Sequence, residues 1–503
     1  MQDEAGAEER WGVVKMMSMS RAANAAWLVA GCLALALCFA GVSQADTIVL
    51  KNGRRIVVSN VIREQGKVSG ETSAGRLSLP ESMVARIEKD DSGASLAGTT
   101  NLAAADLPIG PPPVDPLDDS DPIARTVVHD GAIDREALAR LDAGASSGNT
   151  EAAARAAVVE SAASQFEFGR GDFAAALAHA ERALSHEPAQ VTLLLNLAYL
   201  HLRRSEYTAA LDSVEHARRV APDSPEAAKL AGWAEYGLNR LPQAIAEWKR
   251  AQQLQPDDEV GRALEKAERD AEVETNFREG ESAHFALRYS GSAAPDLARG
   301  ILGELENSFQ VTSSLLNYTP AEPIAVVLYT GQDFADITRA PSWAGALNDG
   351  RIRIPVQGLL TVTPQLARVL RHELAHSFIS QKTHGNCAVW LQEGIAEWLE
   401  GARAGDDAAA LIALYDRHDD PSLAALEGSW LNLPNESAHV AYAWSLAVVE
   451  GMVQAGTSVD LERLLDGLAA GSSTEAATRD ALHMDYADLN RSTVEYLRRT
   501  YLH

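Results

Sequence analysis

The chain has few cysteines and few basic residues for its length, and long apolar runs are almost absent. Only three cysteines occur in 503 residues, and two of them lie in one apolar run at residues 22–40. A chain that has lost this run keeps only Cys387 and can form no internal disulfide. Lysine and arginine number 44 against 70 aspartates and glutamates, which gives a net charge of −26. This balance argues against nucleic acid or anionic lipid as a partner.

The run at residues 22–40 is the one stretch of the sequence that is long and apolar enough to span a membrane. Residues 43–45 place small side chains at the third and first positions before a cleavage site. We therefore predict a signal peptide over residues 1–45, cut after Ala45, which leaves no membrane span. A methionine among residues 16–19 is an alternative start, and a retained N-terminal anchor is the alternative to cleavage. Export with one remaining cysteine favours a bacterial periplasm, with secretion as the other destination.

Two regions follow the apolar run. Residues 46–89 contain short alternating runs separated by turn signals such as Asn52-Gly53, which predicts a small antiparallel β module. Residues 90–148 are rich in Gly, Ala, Ser, Pro and Asp. Because this composition cannot support a packed core, we predict a disordered linker there, with a short helix near Asp134–Leu141.

Residues 149–271 contain a repeat with a period of 34 residues. The positions that share this spacing are Ala176, Ala210 and Ala244, then Ala183, Ala217 and Ala251, and finally Pro188, Pro222 and Pro256. The period, the small residues and the terminal proline resemble tetratricopeptide repeats, an α-solenoid of stacked helix pairs. The resemblance implies a concave surface that binds a protein partner, and a spacer is the alternative. Residues 259–275 are expected to form a capping helix.

The segment His372-Glu373-Leu374-Ala375-His376 follows a helix start signal at Thr363-Pro364. On a helix the two histidines, four residues apart, share one face and can bind one metal ion. Glu373 then lies beside that ion. This is the H-E-x-x-H pattern of zinc-dependent peptidases, and two surface histidines are the alternative.

A second apolar helix is predicted from Trp390 to a stop at Gly401. It carries Glu393 and Glu397 on one face, and acids on an apolar helix are costly to bury unless they are paired or bound to metal. We therefore assign Glu393 as the third zinc ligand. We assign Glu397 as the acceptor of the outer N–H of a ligating histidine. The alternative is that both acids face solvent.

These motifs give the stretch from about residue 272 to the C terminus a resemblance to the peptidase MA-like family of gluzincins. The similar segments are HELAH (372–376), WLQEGIAEWLEG (390–401), SAHFALRYSG (282–291), PSWAGALNDGRIRIPVQG (341–358) and AYAWSLAVVEGM (441–452). The resemblance implies a thermolysin-like α+β catalytic domain over residues 272–503. It implies one zinc ion per chain on His372, His376 and Glu393. Family members often have proline just before the tryptophan of the second motif, where this chain has Val389.

The chemistry expected of such a site is hydrolysis of a peptide bond by a zinc-bound water, with Glu373 as the general base. The oxyanion that forms needs a further stabiliser besides zinc. Tyr442 is the first candidate and His439 the second, because related enzymes place such a group in the helical segment after the motifs. A buried core tyrosine is the alternative reading of Tyr442.

Residues 351–356 alternate polar and apolar side chains after the turn Asn348-Asp349-Gly350, and they contain Pro355. The pattern predicts an edge strand. Such a strand can align an extended substrate by main-chain hydrogen bonds. The alternative is an ordinary edge strand with one face buried and the other exposed to solvent.

The sequence as a whole therefore predicts a multidomain, exported zinc peptidase whose repeats recruit a protein or peptide substrate. Two alternatives remain open. The first is a repeat scaffold with a catalytically silent peptidase-like domain, and the second is a hydrolase that uses the same zinc site on a non-peptide substrate. Glu373 favours an active enzyme over a scaffold, because a scaffold has no need for a general base.

Overall fold

The structure of the protein is a computed structural model. The residues that it describes are 45–50, 55–64, 66–72, 75–89, 122–129, 131–145, 149–290, 295–329, 347–348, 350–356, 359–430, 433–456 and 458–502. The predicted signal peptide, apart from Ala45, lies outside these ranges. In the described part of the chain, no helix combines the length and the apolar composition that a membrane crossing needs.

The first described unit is a five-stranded antiparallel sheet with the strand order β4-β3-β2-β1-β5. Its strands are β1 (Ala45–Leu50), β2 (Arg55–Glu64), β3 (Lys67–Thr72), β4 (Gly75–Pro80) and β5 (Val84–Lys89). Ile48, Val68 and Val84 form its small buried cluster. This sheet is the β module that the alternating runs predict.

The predicted linker is folded over residues 122–129 and 131–145. The short helix expected near Asp134–Leu141 is present, and the prediction of disorder is wrong for the residues around it. This part contains a hairpin of β6 (Val128–His129) and β7 (Ala132–Ile133), followed by helix α1 (Arg135–Ala145). The Asp134 carboxylate caps α1 by accepting the backbone N–H of Ala137 at 2.9 Å. Val127 and Leu138 pack against Val159 of the next helix. A few apolar residues are sufficient here because the repeats supply the other half of the core.

The repeat region consists of antiparallel helix pairs and a final single helix. The helices are α2 (Thr150–Gly169), α3 (Phe173–His186), α4 (Val191–Arg203), α5 (Tyr207–Val220), α6 (Pro225–Gly237), α7 (Leu241–Leu254) and α8 (Asp258–Glu274). The alanines at the 34-residue spacing are at most 3% exposed, so they lie where helices cross closely. Helix α8 is the predicted capping helix. The repeat region is the predicted α-solenoid.

The C-terminal unit begins with a mixed sheet of order β11-β12-β10-β9-β8. Its elements are β8 (Phe277–Glu281), β9 (Phe285–Ser290), α9 (Pro295–Leu316), β10 (Ile324–Tyr329), β11 (Leu347–Asn348) and β12 (Ile352–Pro355). The helices that follow are α10 (Pro364–Thr383), α11 (Val389–Glu400), α12 (Ala408–Asp416), α13 (Asn435–Ala455), α14 (Ser458–Ala469), α15 (Thr474–Leu482) and α16 (Tyr486–Tyr501). This is the predicted α+β architecture, a sheet beside two motif helices and then a helical part.

Strand β12 is not the edge strand that residues 351–356 predict. One side of it pairs with β10, and on the other side Asn348 of β11 lies opposite Ile352. All four β12 residues are buried, so neither face is wet. The prediction failed because the polar residues of the alternating pattern face buried acids instead of water.

Those acids belong to α8, the last helix of the repeat region. Arg353 Nη2 donates to Asp270 Oδ2 at 2.8 Å, and Arg351 Nη2 donates to Glu274 Oε2 at 2.8 Å. These four side chains, which we call the arginine cluster, are each at most 1% exposed. Burial raises the pKa of Asp270, but Arg353 and Arg351 outweigh it, so the net shift is downward. The cluster therefore joins the repeats to the sheet of the C-terminal unit by paired, buried charges.

A second junction lies near the other end of the repeats. Asp172, after the α2–α3 turn, forms an antiparallel bridge with Ala470, which follows α14. The backbones meet so closely that a Cβ on Gly471 would lie 1.9 Å from the carbonyl oxygen of Arg170. Only glycine fits there, and Gly471 also has a φ of 84°. The solenoid is thus attached to the C-terminal unit near both of its ends.

Candidate active site

Helix α10 carries the first motif on its buried side. Thr363 caps the helix by accepting the N–H of Leu366 at 3.1 Å, and proline occupies the first turn, as the start signal predicts. His372, Glu373 and His376 are each at most 2% exposed. The motif is therefore not a pair of surface histidines.

Helix α11 crosses α13 unusually closely beside the second motif. A Cβ on Gly394 would lie 2.4 Å from the carbonyl oxygen of Ser445 in α13. The glycine therefore lets α13 approach the turn that bears Glu393. Val389, where relatives often have proline, donates its N–H to the Glu427 carbonyl at 3.1 Å. A proline could not make this bond, so the departure from the family pattern has a local structural use.

The two helices bring together the three predicted ligands. Glu393 Oε2 lies 3.4 Å from His372 Nε2 and 3.5 Å from His376 Nε2. Donors about 2.0–2.1 Å from a tetrahedral zinc ion would lie about 3.3 Å apart, so the three atoms fit such an ion. Among the described residues, this is the one group of three or more such donors close enough to share an ion, and the half-buried Cys387 is not part of it.

The charges around the three donors favour a cation. Burial raises the pKa of Glu393, but the neighbouring His376 and His372 outweigh it and lower the value to about 2. Burial lowers the pKa of His372, whereas its contacts with Glu393 and Glu400 raise it well above the usual range. Carboxylates that hold a proton on a buried imidazole would also stabilise a divalent ion in place of that proton.

At the outer nitrogen of His372, the structure places a different acid from the predicted Glu397. Glu400, not Glu397, lies at the outer nitrogen, with its Oε2 3.1 Å from His372 Nδ1. Arg368 holds the other oxygen of Glu400 at 2.9 Å. Glu400 follows Glu393 by seven residues, close to two helical turns, and therefore shares its face. That spacing was visible in the sequence, but the nearer Glu397 fitted the four-residue rule equally well.

We expect Glu400→Gln to weaken zinc binding about 10- to 100-fold, because the imidazole loses the carboxylate that orients it and raises its basicity. Glu397→Gln is the matched control. Burial raises the pKa of Glu397 to about 8, so its carboxyl is largely protonated at neutral pH and glutamine mimics it closely. Competition with a chelator of known affinity measures both variants. Equal losses in the two variants would contradict the assignment of Glu400.

Glu373 points away from protein partners. Neither of its carboxylate oxygens, both buried, has a hydrogen-bond partner among the described residues. Burial raises its pKa to about 8, and a cation held by the three neighbouring donors would lower that pKa again and favour the carboxylate. A buried carboxyl without a partner is unfavourable for folding and calls for an explanation other than stability. A role as proton acceptor toward a bound water would supply one.

Asn348 is a residue of the site that sequence reasoning took only for a turn former. Its Nδ2 donates to the Glu373 carbonyl at 2.9 Å and to Ser377 Oγ at 2.8 Å. It thereby fixes the edge strand β11 to the backbone of the motif helix. No sequence signal distinguishes Asn348, because β11 and α10 come together only when the sheet folds.

Tyr442 and His439, the two predicted oxyanion stabilisers, lie on α13. The Tyr442 ring packs edge-on against Trp430, with ring centroids 5.0 Å apart. Burial raises the pKa of its hydroxyl well above 10, and the carboxylates of Glu393, Glu397 and Glu373 raise it further. His439 is more exposed, and its Nε2 lies 3.3 Å from Asp407 Oδ1. Tyr442 therefore lies within electrostatic reach of the metal ligands, and its role stays a prediction.

Comparison with known proteins locates both predicted domains. Residues 312–499 match the model of the Peptidase MA superfamily, and residues 167–234 match the model of the tetratricopeptide repeat. Among solved structures, the first TPR of Spaghetti (RPAP3), bound to the HSP90 peptide SRMEEVD, matches at 20% identity with a TM-score of 0.23. That match covers 24% of this chain and 95% of the other. A search of curated proteins gave no match. The chain thus contains a Peptidase MA superfamily domain preceded by tetratricopeptide repeats, as its motifs predict.

Proposed function

We propose that this protein is an exported zinc-dependent peptidase that hydrolyses peptide bonds, with its repeats recruiting a protein substrate or partner. The observation that supports the proposal best is the pairing of two features. Three buried donors are spaced for a tetrahedral ion. Beside them, the carboxylate of Glu373 has both oxygens free of protein partners among the described residues.

A zinc ion held by His372, His376 and Glu393 would supply a Lewis acid and would lower the pKa of water to near 7. Glu373 takes the proton of the attacking water and passes it to the amine nitrogen of the leaving fragment. The Tyr442 hydroxyl donates a hydrogen bond to the developing oxyanion. Glu400 holds His372 in the tautomer that leaves Nε2 free for the ion.

A scaffold whose peptidase-like domain is silent is the other candidate. It would account for the repeats, but it gives no reason to keep an acid buried without a partner beside three metal donors.

The proposal of export rests on the sequence of residues 1–45. Fractionation of cells, followed by amino-terminal sequencing of the product, tests it. A mature protein that starts at Asp46 in the periplasm or medium is the expected result.

The proposal predicts that cleavage depends on zinc and on the tyrosine hydroxyl. We expect full-length protein stripped by a chelator to cleave no member of a mixed peptide library, and one equivalent of zinc to restore cleavage. Tyr442→Phe should keep the zinc and lower kcat, since removal of one oxyanion donor costs about 10²- to 10³-fold. Mass spectrometry of the peptide products measures cleavage by the stripped protein, the zinc-restored protein and the Tyr442→Phe variant. Zinc-loaded protein that cleaves nothing would contradict the peptidase, and an unchanged kcat in Tyr442→Phe would remove that residue from the mechanism.

A further inference from the structure

The turn between the two helices of the second repeat lies against the candidate active site. Ser205 of this turn and Tyr207, the first residue of α5, line a pocket whose opposite wall includes Asn348, His376, Ser380 and Gln392. His376 is also one of the three metal donors. The pocket is small, with a cavity volume of about 30 Å³, and it opens to solvent. A group bound there would touch the repeats and the metal centre at once.

Several contacts hold the turn in that place. Thr208 donates its N–H to Glu322 Oε1 of the catalytic unit at 3.0 Å. Within the turn, Glu206 accepts from Arg204 Nε at 2.9 Å and lies 2.7 Å from His201 Nδ1. The ring of Tyr207 rests on Gly237, where an added Cβ would lie 2.4 Å from the ring. The wall is therefore built from several elements and is not a chance approach of a loop.

The lining is polar and carries little charge. Among the described residues that form it, none is an acid, a lysine or an arginine, whereas hydroxyl and amide groups predominate. A charged side chain would lose its hydration there and would find no counter-charge among the side chains that line the pocket, which is unfavourable. A side chain with hydrogen-bonding groups and no charge would find partners.

We propose that the turn Ser205–Tyr207 forms one wall of a subsite for an uncharged, hydrogen-bonding side chain of the peptide substrate, next to the bond that is cut. This inference rests on the proposed peptidase function. The repeats then help to determine which substrate side chain is accepted beside the cleaved bond. This role adds to any recruitment of the substrate through their concave face. Ser205 is a specificity-determining residue in this arrangement.

The test places charges of either sign on the wall. Ser205→Asp and Ser205→Lys are compared with Asn239→Asp and Asn239→Lys, which change the equivalent turn of the next repeat outside the pocket. The two positions are matched, because φ is 59° at Ser205 and 60° at Asn239. Zinc per chain and the melting temperature show that each full-length variant is folded and loaded. A library of peptides with randomised sequence gives the preferred side chain at each position around the cut.

We expect Ser205→Lys to favour acidic side chains and Ser205→Asp to favour basic ones, at the same single substrate position, by about tenfold each. The Asn239 variants should keep the wild-type profile. Unchanged profiles in the Ser205 variants, with cleavage intact, would overturn the subsite and leave the peptidase standing. If zinc-loaded wild type cleaves nothing, the peptidase function fails separately. In that case, the affinities of the Ser205→Lys and Ser205→Asp variants for peptide hydroxamates with acidic or basic side chains test the subsite. Opposite shifts of affinity in the two variants support the subsite, and equal affinities overturn it.

Discussion

Replacement of Glu373 by glutamine is expected to lower kcat about 10²- to 10⁴-fold while the protein keeps one zinc ion per chain. The carboxamide has the same shape but cannot accept the proton of the attacking water. Glu373 is not one of the three donors that lie together, so metal binding should persist. Metal analysis and turnover on the same preparation check both halves of the expectation.

Glu393→Ala provides the contrast to Glu373→Gln. It removes one of three donors, so zinc and turnover should be lost together. This pair separates the ligand from the base, which activity alone cannot do. If Glu373→Gln retained turnover, or if it lost zinc as Glu393→Ala does, the role of Glu373 as general base would be refuted. A zinc-loaded, inactive Glu373→Gln protein would also retain bound substrate and could be used to capture it.

Asp270→Ala is expected to lower the free energy of unfolding by about 3–5 kcal/mol, although Asp270 lies outside the matched peptidase segment. The reason is the arginine cluster. Arg353 and Arg351 both contact Asp270, and they would stay buried with one carboxylate fewer to neutralise them. An uncompensated buried charge is among the few single changes with so large an effect.

Glu272→Ala on the same helix is the control for Asp270→Ala, because Glu272 is exposed and such surface changes usually stay within about 0.5 kcal/mol. Urea unfolding followed by tryptophan fluorescence measures both variants. The double variant Asp270→Leu with Arg353→Met should recover part of the loss, since a buried ion pair can often be exchanged for apolar groups. A loss below about 1 kcal/mol for Asp270→Ala would show that the cluster does not stabilise the junction.

The parts of the site that sequence could predict are those set by local spacing. His372 and His376 are about one helical turn apart. Because the helix starts at Thr363, both histidines fall inside it and share one face. Glu393 followed from its position on a second apolar helix. Glu397 and Glu400 both lie near the helical face that carries Glu393, and only the orientation of α11 against α10 decides which of them meets His372.

The parts that sequence could not predict depend on contacts between distant segments. Arg351 and Arg353 read as the wet side of an edge strand because their acidic partners are about 80 positions earlier, in a different domain. Asn348 has its role only because the sheet edge meets α10. The fold of residues 122–129 and 131–145, apart from the short helix, is not evident from their composition, because their core is completed by the repeats.

The two attachments of the repeats have a mechanical consequence. A free solenoid behaves like a spring, because each repeat contacts only its neighbours and small rotations add up along its length. Here one end is fixed where Gly171 meets Gly471 and the other where Asp270 meets Arg353. The curvature of the repeats is therefore constrained by these two anchors and by the hydrogen bond from Thr208 to Glu322 between them. A partner on the concave face must fit a radius that is already chosen, and a force on the repeats would act directly on the sheet that carries Asn348.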